Sequence, residues 1–169
     1  GLAYCCKIQN FVPVLFREEQ SFWNEQGGLW QEYMSENTKE LQSRDQIFCT
    51  CNFSSCLRDL RSLSCRTYPL EPYFDRSGRF AGLTFLSTAN EVDRETGRLR
   101  CPLSRQFHHI RQAFINNTTL FFDQLLKLKP DEKEAYLESS RRHRKRHREC
   151  GIQIVVLKAE ARILDQIQL

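Results

Sequence analysis

The sequence predicts an α+β fold, mostly helical with a small sheet, and two stretches carry most of this prediction. Residues 103–150 have the pattern of a long helical hairpin. Residues 152–158 then alternate apolar and polar side chains in the manner of a C-terminal strand. We expect a single domain over residues 1–169, with two lobes as the alternative. Those lobes are an N-terminal helical, cysteine-rich lobe (1–66) and a C-terminal α+β lobe (67–169).

The N-terminal part predicts two helices, a strand and a further short helix. Residues 17–26 look helical up to the glycine pair that follows them. Apolar side chains at helical spacing over residues 29–41 predict a second, amphipathic helix. Residues 47–53 alternate as a strand does, and Ser54 or Ser55 can cap the short helix that follows.

The middle of the chain predicts extended structure. Pro69 and Pro72 favour an extended connection, because a residue before proline avoids the helical region. Residues 75–78 have turn chemistry, and residues 79–86 are rich in the bulky side chains that strands favour. The sequence therefore predicts a turn followed by a strand here.

A long helix is predicted after Pro102, and we expect its apolar stripe to form part of the core. The members of this stripe are Phe107, Ile110, Phe114, Phe121, Leu125 and Leu128. Pro130 opens the second helix of the hairpin, and acidic residues in its first turn suit the helix dipole. Gly151 is placed to stop that helix in the left-handed conformation.

The most unusual feature of the composition is its eight cysteines. They are Cys5, Cys6, Cys49, Cys51, Cys56, Cys65, Cys101 and Cys150. An oxidising compartment would pair them in up to four disulfides, whereas in a reducing compartment they are buried or bind metal. A cross-link between Cys101 and Cys150 is geometrically attractive, because an antiparallel hairpin brings its outer ends together.

Other sequence features bear on the compartment. Glycosylation sequons at Asn52, Asn116 and Asn117 favour secretion. The basic run over residues 141–148 favours an intracellular location, nuclear or cytoplasmic, since secretory processing cuts such runs. No apolar run is long enough to span a bilayer, so no transmembrane segment is expected.

The charge of the chain is concentrated in one run near the end of the hairpin. Its cationic residues are Arg141, Arg142, Arg144, Lys145, Arg146 and Arg148. Because this run carries six positive charges and the whole chain carries +4, the rest of the chain sums to −2. The half of the helix over residues 138–149 has no apolar side chain, so it must lie in solvent or against a polar partner.

Like charges at helical spacing repel each other, and a phosphate-bearing partner relieves that repulsion by releasing its counterions. Arginine predominates in the run, and its planar fork binds phosphate oxygens in pairs. The run therefore predicts binding to nucleic acid or another polyanion. A solvated surface helix or a nuclear-import signal is the plainer interpretation.

Metal binding is a second hypothesis for the same helix. His143, His147 and Cys150 are spaced so that all three fall on one helix face, and Cys101 is a candidate fourth ligand. Zinc is the metal that this ligand set suits, although the spacing matches no standard zinc motif.

The chain has no phosphate-cradling glycine loop, nucleophile elbow or HExxH motif, so we assign no catalytic residue and do not expect an enzyme. The favoured hypothesis is an intracellular, cysteine-rich interaction domain, zinc-stabilised or not, that binds a polyanion, with a protein as another candidate partner. The alternative is a secreted or ectodomain module with disulfides that acts as a ligand or receptor part.

Overall fold

A computed structural model describes residues 13–27, 30–32, 46–51, 59, 61–93 and 97–169, with the backbone alone described at Cys51. The fold is α+β, as predicted, with five helices and two small antiparallel sheets in these ranges. The chain forms two compact units, Gly1–Tyr68 and Pro69–Leu169.

The first unit contains a small antiparallel sheet with one helix following its first strand. The strands are β1 (Val14–Phe16), β2 (Trp30–Glu32) and β3 (Gln46–Cys51), and β3 lies between the other two. The helix α1 (Arg17–Glu25) follows β1 directly, which confirms the helix predicted there. The core of this unit consists of Leu15, Trp23, Trp30, Ile47 and Cys49.

The helix predicted over residues 29–41 is wrong at Trp30–Glu32, which form β2, and residues 33–45 lie outside the described ranges. β2 pairs with β3 in a register that sets Trp30 opposite Cys51 and Glu32 opposite Cys49. Trp30 is 6% exposed. Backbone pairing and burial of this indole therefore override a helical pattern based on a few apolar residues.

The first unit closes with a short helix, α2 (Leu63–Thr67). The Ser62 hydroxyl caps it by accepting a hydrogen bond from the Cys65 amide at 3.2 Å. The Glu19 carboxylate on α1 accepts another from the Leu63 amide at 2.6 Å. Ser54 and Ser55, the predicted caps, lie outside the described residues.

The second unit begins with a hairpin of β4 (Leu70–Phe74) and β5 (Phe80–Phe85), so the predicted strand over residues 79–86 is confirmed. Asp75 closes the turn by accepting hydrogen bonds from the amides of Ser77 and Arg79. The predicted extended connection is itself a strand. A β4 that pairs with β5 along one edge tolerates Pro72, since proline lacks only the amide donor.

The predicted helical hairpin is present as α3 (Gln112–Leu128) and α4 (Asp131–Cys150). α3 begins later than predicted, because Pro102–Ser104 and Phe107–His109 form separate 3₁₀ turns. The Ser104 hydroxyl donates to the Cys101 carbonyl at 2.8 Å. Such local side-chain bonding competes with helix extension and keeps this segment as turns.

The apolar stripe predicted on the first helix of the hairpin is confirmed only in part: Leu125 is buried, Ile110, Phe114 and Phe121 are half-buried, and the two end members are exposed. Phe107 is 40% exposed and Leu128 is 80% exposed, whereas Leu125 is 8% exposed. The buried face of α3 consists of Ile115, Asn116, Thr118, Thr119, Phe122, Asp123, Leu125 and Leu126. Half of these side chains are polar, so a count of apolar residues identifies only part of the buried face.

The second unit ends in an extended segment that leads into α5 (Ala161–Leu164). Leu157 pairs with Leu83 through two reciprocal backbone hydrogen bonds of 2.8 Å, so pairing of the predicted C-terminal strand is confined to one bridge. A Cβ on Gly82 would lie 2.6 Å from the Leu157 carbonyl oxygen, which explains the glycine there. None of the described helices combines the length and apolarity needed to cross a membrane.

Candidate anion-binding helix

The helix α4 is polar along its C-terminal half, yet its sequence contains the signals that start and stop a helix. Asp131 and Glu132 lie in its first turn, and His147 and Arg148 lie in its last turn. Both ends therefore carry charge opposite to the helix dipole. Gly151 follows in the left-handed conformation with φ of 66°, which terminates the helix where the sequence predicts.

The inner face of α4, defined here as Ser139, Ser140, His143 and Arg144, lies against β4. Ser140 is fully buried and accepts a hydrogen bond from the Phe74 amide at 3.0 Å. Its hydroxyl donates to the Tyr136 carbonyl at 2.8 Å. The polar partner that this half of the helix requires is thus supplied by the second unit itself.

A buried carboxylate that the sequence analysis did not identify lies under this inner face. Glu71 of β4 is 5% exposed and accepts a hydrogen bond from the Ser139 hydroxyl at 2.8 Å. The same oxygen lies 2.7 Å from His143 Nε2. Burial of a carboxylate is costly unless it is hydrogen-bonded, and these two contacts meet that requirement. The signal in the sequence is a single acid between Leu70 and Pro72 in an apolar stretch.

Two of the six basic side chains turn towards the fold. Arg144 donates to the Phe74 carbonyl at 2.5 Å, and its guanidinium carbon lies 5.8 Å from the centre of the Tyr73 ring. Arg146 Nη2 lies 3.7 Å from a Glu91 carboxylate oxygen. These two arginines therefore contribute to packing and to a local ion pair as well as to surface charge.

The other four form the outer face of α4, defined here as Arg141, Arg142, Lys145 and Arg148. Arg141 contacts Glu134 and Glu138, each at 3.0 Å, and Lys145 lies 4.0 Å from Glu149. Hydrogen bonds to Glu138 and Glu134 raise the pKa of Arg141 above its ordinary value, so it is charged at every relevant pH. Arg142 and Arg148 are exposed and have no ion-pair partner within the described ranges.

The four residues predicted as metal ligands make separate contacts. His143 faces Glu71, and His147 Nδ1 lies 2.9 Å from a backbone carbonyl oxygen. Cys101 is buried, and Cys150 is exposed. No group of three or more His, Cys, Asp or Glu side chains among the described residues could hold a metal ion. Zinc binding stays a prediction from the sequence alone.

Among the cysteines with described side chains, Cys49, Cys101 and Cys150 are free thiols. The cross-link considered between Cys101 and Cys150 is therefore not formed. Burial, with the nearby carboxylates of Glu32 and Glu19, raises the pKa of Cys49 to about 11, and burial also raises the pKa of Cys101. The thiolate is the reactive form, so these two thiols are inert core groups.

The outer face of α4 is thus the cationic surface, and the inner face holds the helix on β4. Comparisons with protein-family models, curated proteins and solved structures give no match for this chain.

Proposed function

We propose that the chain is a non-catalytic interaction domain that binds a polyanion, nucleic acid in particular, through the outer face of α4. The observation that carries the proposal is the exposure of Arg142 and Arg148 without an ion-pair partner among the described residues. Arg141 and Lys145 lie on the same side of the helix, because residues three or four apart are neighbours on a helix surface. The result is a cluster of four cations that phosphates can approach from solvent.

The carboxylates already beside this cluster oppose a polyanion weakly. Arg141, with a side chain 55% exposed, pairs with Glu134 and Glu138, which are 69% and 51% exposed. Exposed pairs of this kind are worth about 0–1 kcal/mol, so a phosphate oxygen can replace a carboxylate at little cost. The interleaved acids nevertheless lower the net charge of the face, and we expect binding of modest affinity and strong salt dependence.

The dimensions of the face suit a short run of backbone phosphates. Residues 141–148 cover about 10 Å of helix axis, which corresponds to roughly three nucleotides along one strand. Contacts to phosphates fix position and carry no sequence information. The proposal is therefore binding without base-specific readout.

Titration of a fluorescein-labelled DNA duplex at several KCl concentrations tests this function. We expect log K to fall linearly with log salt, and the double variant Arg142→Gln/Arg148→Gln to lower the slope by about two. The matched control is Lys158→Gln/Arg162→Gln, which removes two exposed charges from the C-terminal segment.

An unchanged slope in Arg142→Gln/Arg148→Gln would contradict the proposal, and so would an equal loss in the control variant. Heparin in place of DNA provides a second arm. Heparin binding with no DNA binding would assign the face to sulfated glycans, which is the polyanion expected for a secreted chain.

The secreted, disulfide-linked module stays the alternative prediction. The free thiols described above do not test it fully, because Cys5, Cys6 and Cys56 lie outside the described residues and the side chain of Cys51 is not described. Asn116, in one of the sequons, is buried and accepts a hydrogen bond from Gln112, which disfavours that glycosylation site. Intact mass with and without reductant distinguishes the two functions, since each disulfide lowers the mass by about two units.

A further inference from the structure

The second unit contains a pocket of about 560 Å³ beside the inner face of α4. Four segments enclose it: the end of β5 with the turn that follows, the 3₁₀ turns before α3, one side of α4, and the extended segment after Gly151. This volume lies within the range of small-molecule sites in proteins. The pocket uses side chains that the proposed polyanion surface does not use.

The walls of this pocket are held by hydrogen bonds, so its shape exists before any ligand binds. The Thr84 hydroxyl donates to the Val155 carbonyl at 2.8 Å, and His147 Nδ1 lies 2.9 Å from the Ile152 carbonyl oxygen. On the opposite side the Ser104 hydroxyl fixes the 3₁₀ turn at Cys101. A preformed site avoids the cost of ordering its walls on binding.

One part of the lining is apolar and partly open to solvent. Phe107 and Ile152 line the pocket and are 40% and 42% exposed. Phe85, Ile154 and Val155 continue the apolar lining. Exposed large apolar side chains around a concave site favour a ligand with an apolar body, since binding removes both surfaces from water.

The other part of the lining is cationic. Arg105 and Arg146 both line the pocket, and Glu91 is the acid among the lining residues. Glu91 lies 3.6 Å from Arg100 and 3.7 Å from Arg146, longer than the roughly 2.7–2.9 Å of a charge-assisted hydrogen bond. Arg146 thus retains donors for a ligand. Arg105 and Arg146 together with Glu91 sum to a net charge of about +1 in the lining, which one carboxylate neutralises.

His143 adds a fixed polar group to this lining. Its Nε2 faces the buried Glu71 carboxylate, which sets the orientation of the ring. Its other ring nitrogen, Nδ1, has no hydrogen-bond partner within the described ranges, although the residue lines the pocket. The contact with the buried carboxylate therefore holds His143 in place as part of the pocket lining.

From this juxtaposition we propose that the pocket binds a small amphiphilic monoanion, namely a carboxylate with an aliphatic or aromatic body. The carboxylate lies between Arg105 and Arg146, and the body lies against Phe107, Ile152 and their apolar neighbours. This binding is separate from the polyanion surface, because the outer face of α4 contributes no residue to the pocket.

Isothermal titration calorimetry of the full chain with octanoate, 1-octanol and acetate tests the proposal. Octanoate is expected to bind saturably at one site, and the other two at least about tenfold more weakly, since each lacks either the charge or the apolar body. Absence of octanoate binding would overturn the proposal. Octanol binding as tight as octanoate binding would overturn it as well, since the arginines would then contribute nothing.

Variants locate the site. Arg105→Gln and Arg146→Gln should each weaken octanoate binding by at least about fivefold, whereas Arg142→Gln, on the outer face of the same helix, should leave it unchanged. Arg105 is exposed, so its variant tests the site even if Arg146→Gln lowers stability. An equal effect of Arg142→Gln would show a general charge effect and contradict the assignment. DNA binding by Arg105→Gln, measured in parallel, separates a failure here from a failure of the proposed function.

Discussion

The two faces of α4 share one sequence run and perform different tasks. On the inner face, Arg144 and His143 contact β4 through the Phe74 carbonyl and the buried Glu71 carboxylate. On the outer face, Arg142 and Arg148 extend into solvent, and Arg141 pairs with acids of its own helix. A run of basic residues in a sequence therefore does not become a single charged surface. In this fold some of its side chains pack against β4 and the others face solvent.

The division also explains how a helix with so little apolar surface stays attached. An exposed ion pair contributes about 0–1 kcal/mol, whereas a buried polar group deprived of its hydrogen bond costs about 1–3 kcal/mol. Ser140 on the inner face is 0% exposed, and Glu71 on β4, which that face contacts, is 5% exposed, so these contacts are hydrogen bonds of buried polar groups. The ion pairs of the outer face are exposed. We therefore expect substitutions on the outer face to change binding and to leave the unfolding free energy nearly unchanged.

The largest difference between the faces is expected at Ser140. Ser140→Leu forces a larger side chain into a fully buried position and leaves the Phe74 amide without its acceptor. Overpacking and the lost hydrogen bond together should cost about 3 kcal/mol of unfolding free energy. Urea denaturation followed by circular dichroism at a helix band measures this loss.

The matched control is Lys145→Leu, which introduces the same side chain on the outer face of the same helix. It should change the unfolding free energy by less than about 0.5 kcal/mol. Equal losses in the two variants would show that α4 packs through both faces and would remove the distinction between them.

The signals that delimit α4 are local, and this is why they could be predicted. Pro130, the acids after it and Gly151 mark the ends of the helix within the sequence, and the structure begins and ends α4 there. β5 and the turn before it were predicted for the same reason, since Asp75 and Gly78 form that turn from neighbouring residues.

The structural features that the sequence did not predict depend on contacts between residues distant in the sequence. Glu71 and His143 are 72 positions apart, and neither residue alone indicates that a carboxylate and an imidazole meet under a helix. The polar part of the buried face of α3 was missed because Asn116 and Asp123 are satisfied by the amides of Glu160 and Gln168. A pattern of apolar residues cannot predict the burial of a polar side chain whose hydrogen-bond partner is distant in the sequence.

A smaller effect is expected at Arg144, the residue that most directly separates a folding role from a binding role. Arg144→Gln removes the hydrogen bond to the Phe74 carbonyl and the contact with the Tyr73 ring. We expect a loss of about 1–2 kcal/mol in unfolding free energy, because a charged hydrogen bond and a cation–π contact are both removed. Urea denaturation measures it, with Arg142→Gln as the control that stays within about 0.5 kcal/mol.

The same pair of variants should rank in the opposite order in the DNA titration. Arg142→Gln should weaken binding more than Arg144→Gln does, because the Arg144 guanidinium is held at β4. If Arg144→Gln left stability unchanged and weakened DNA binding more, Arg144 would belong with the polyanion surface, and the assignment of inner and outer faces would be wrong.

The smallest effect concerns the acids beside the outer face, and it tests the surface by a gain of affinity. Glu138 and Glu149 are about half exposed and lie beside Arg141 and Lys145. Glu138→Gln/Glu149→Gln keeps the size of both side chains and removes two negative charges that repel an approaching phosphate. Each exposed charge interaction is worth about 0.5 kcal/mol, so removing two of them should raise DNA affinity by roughly fivefold. The gain in affinity should shrink at higher salt, because salt screens interactions between exposed charges.

A gain of this kind cannot come from damage to the fold, which is why it tests the outer face more strictly than a loss does. The matched control, Glu160→Gln/Asp165→Asn, removes two exposed carboxylates that flank α5. If affinity depended on the net charge of the chain alone, both double variants would gain equally. A gain confined to Glu138→Gln/Glu149→Gln places the phosphates along α4, where those two acids lie beside the cations. Affinity that stays at the parent value would mean that DNA, if it binds this chain, does so elsewhere.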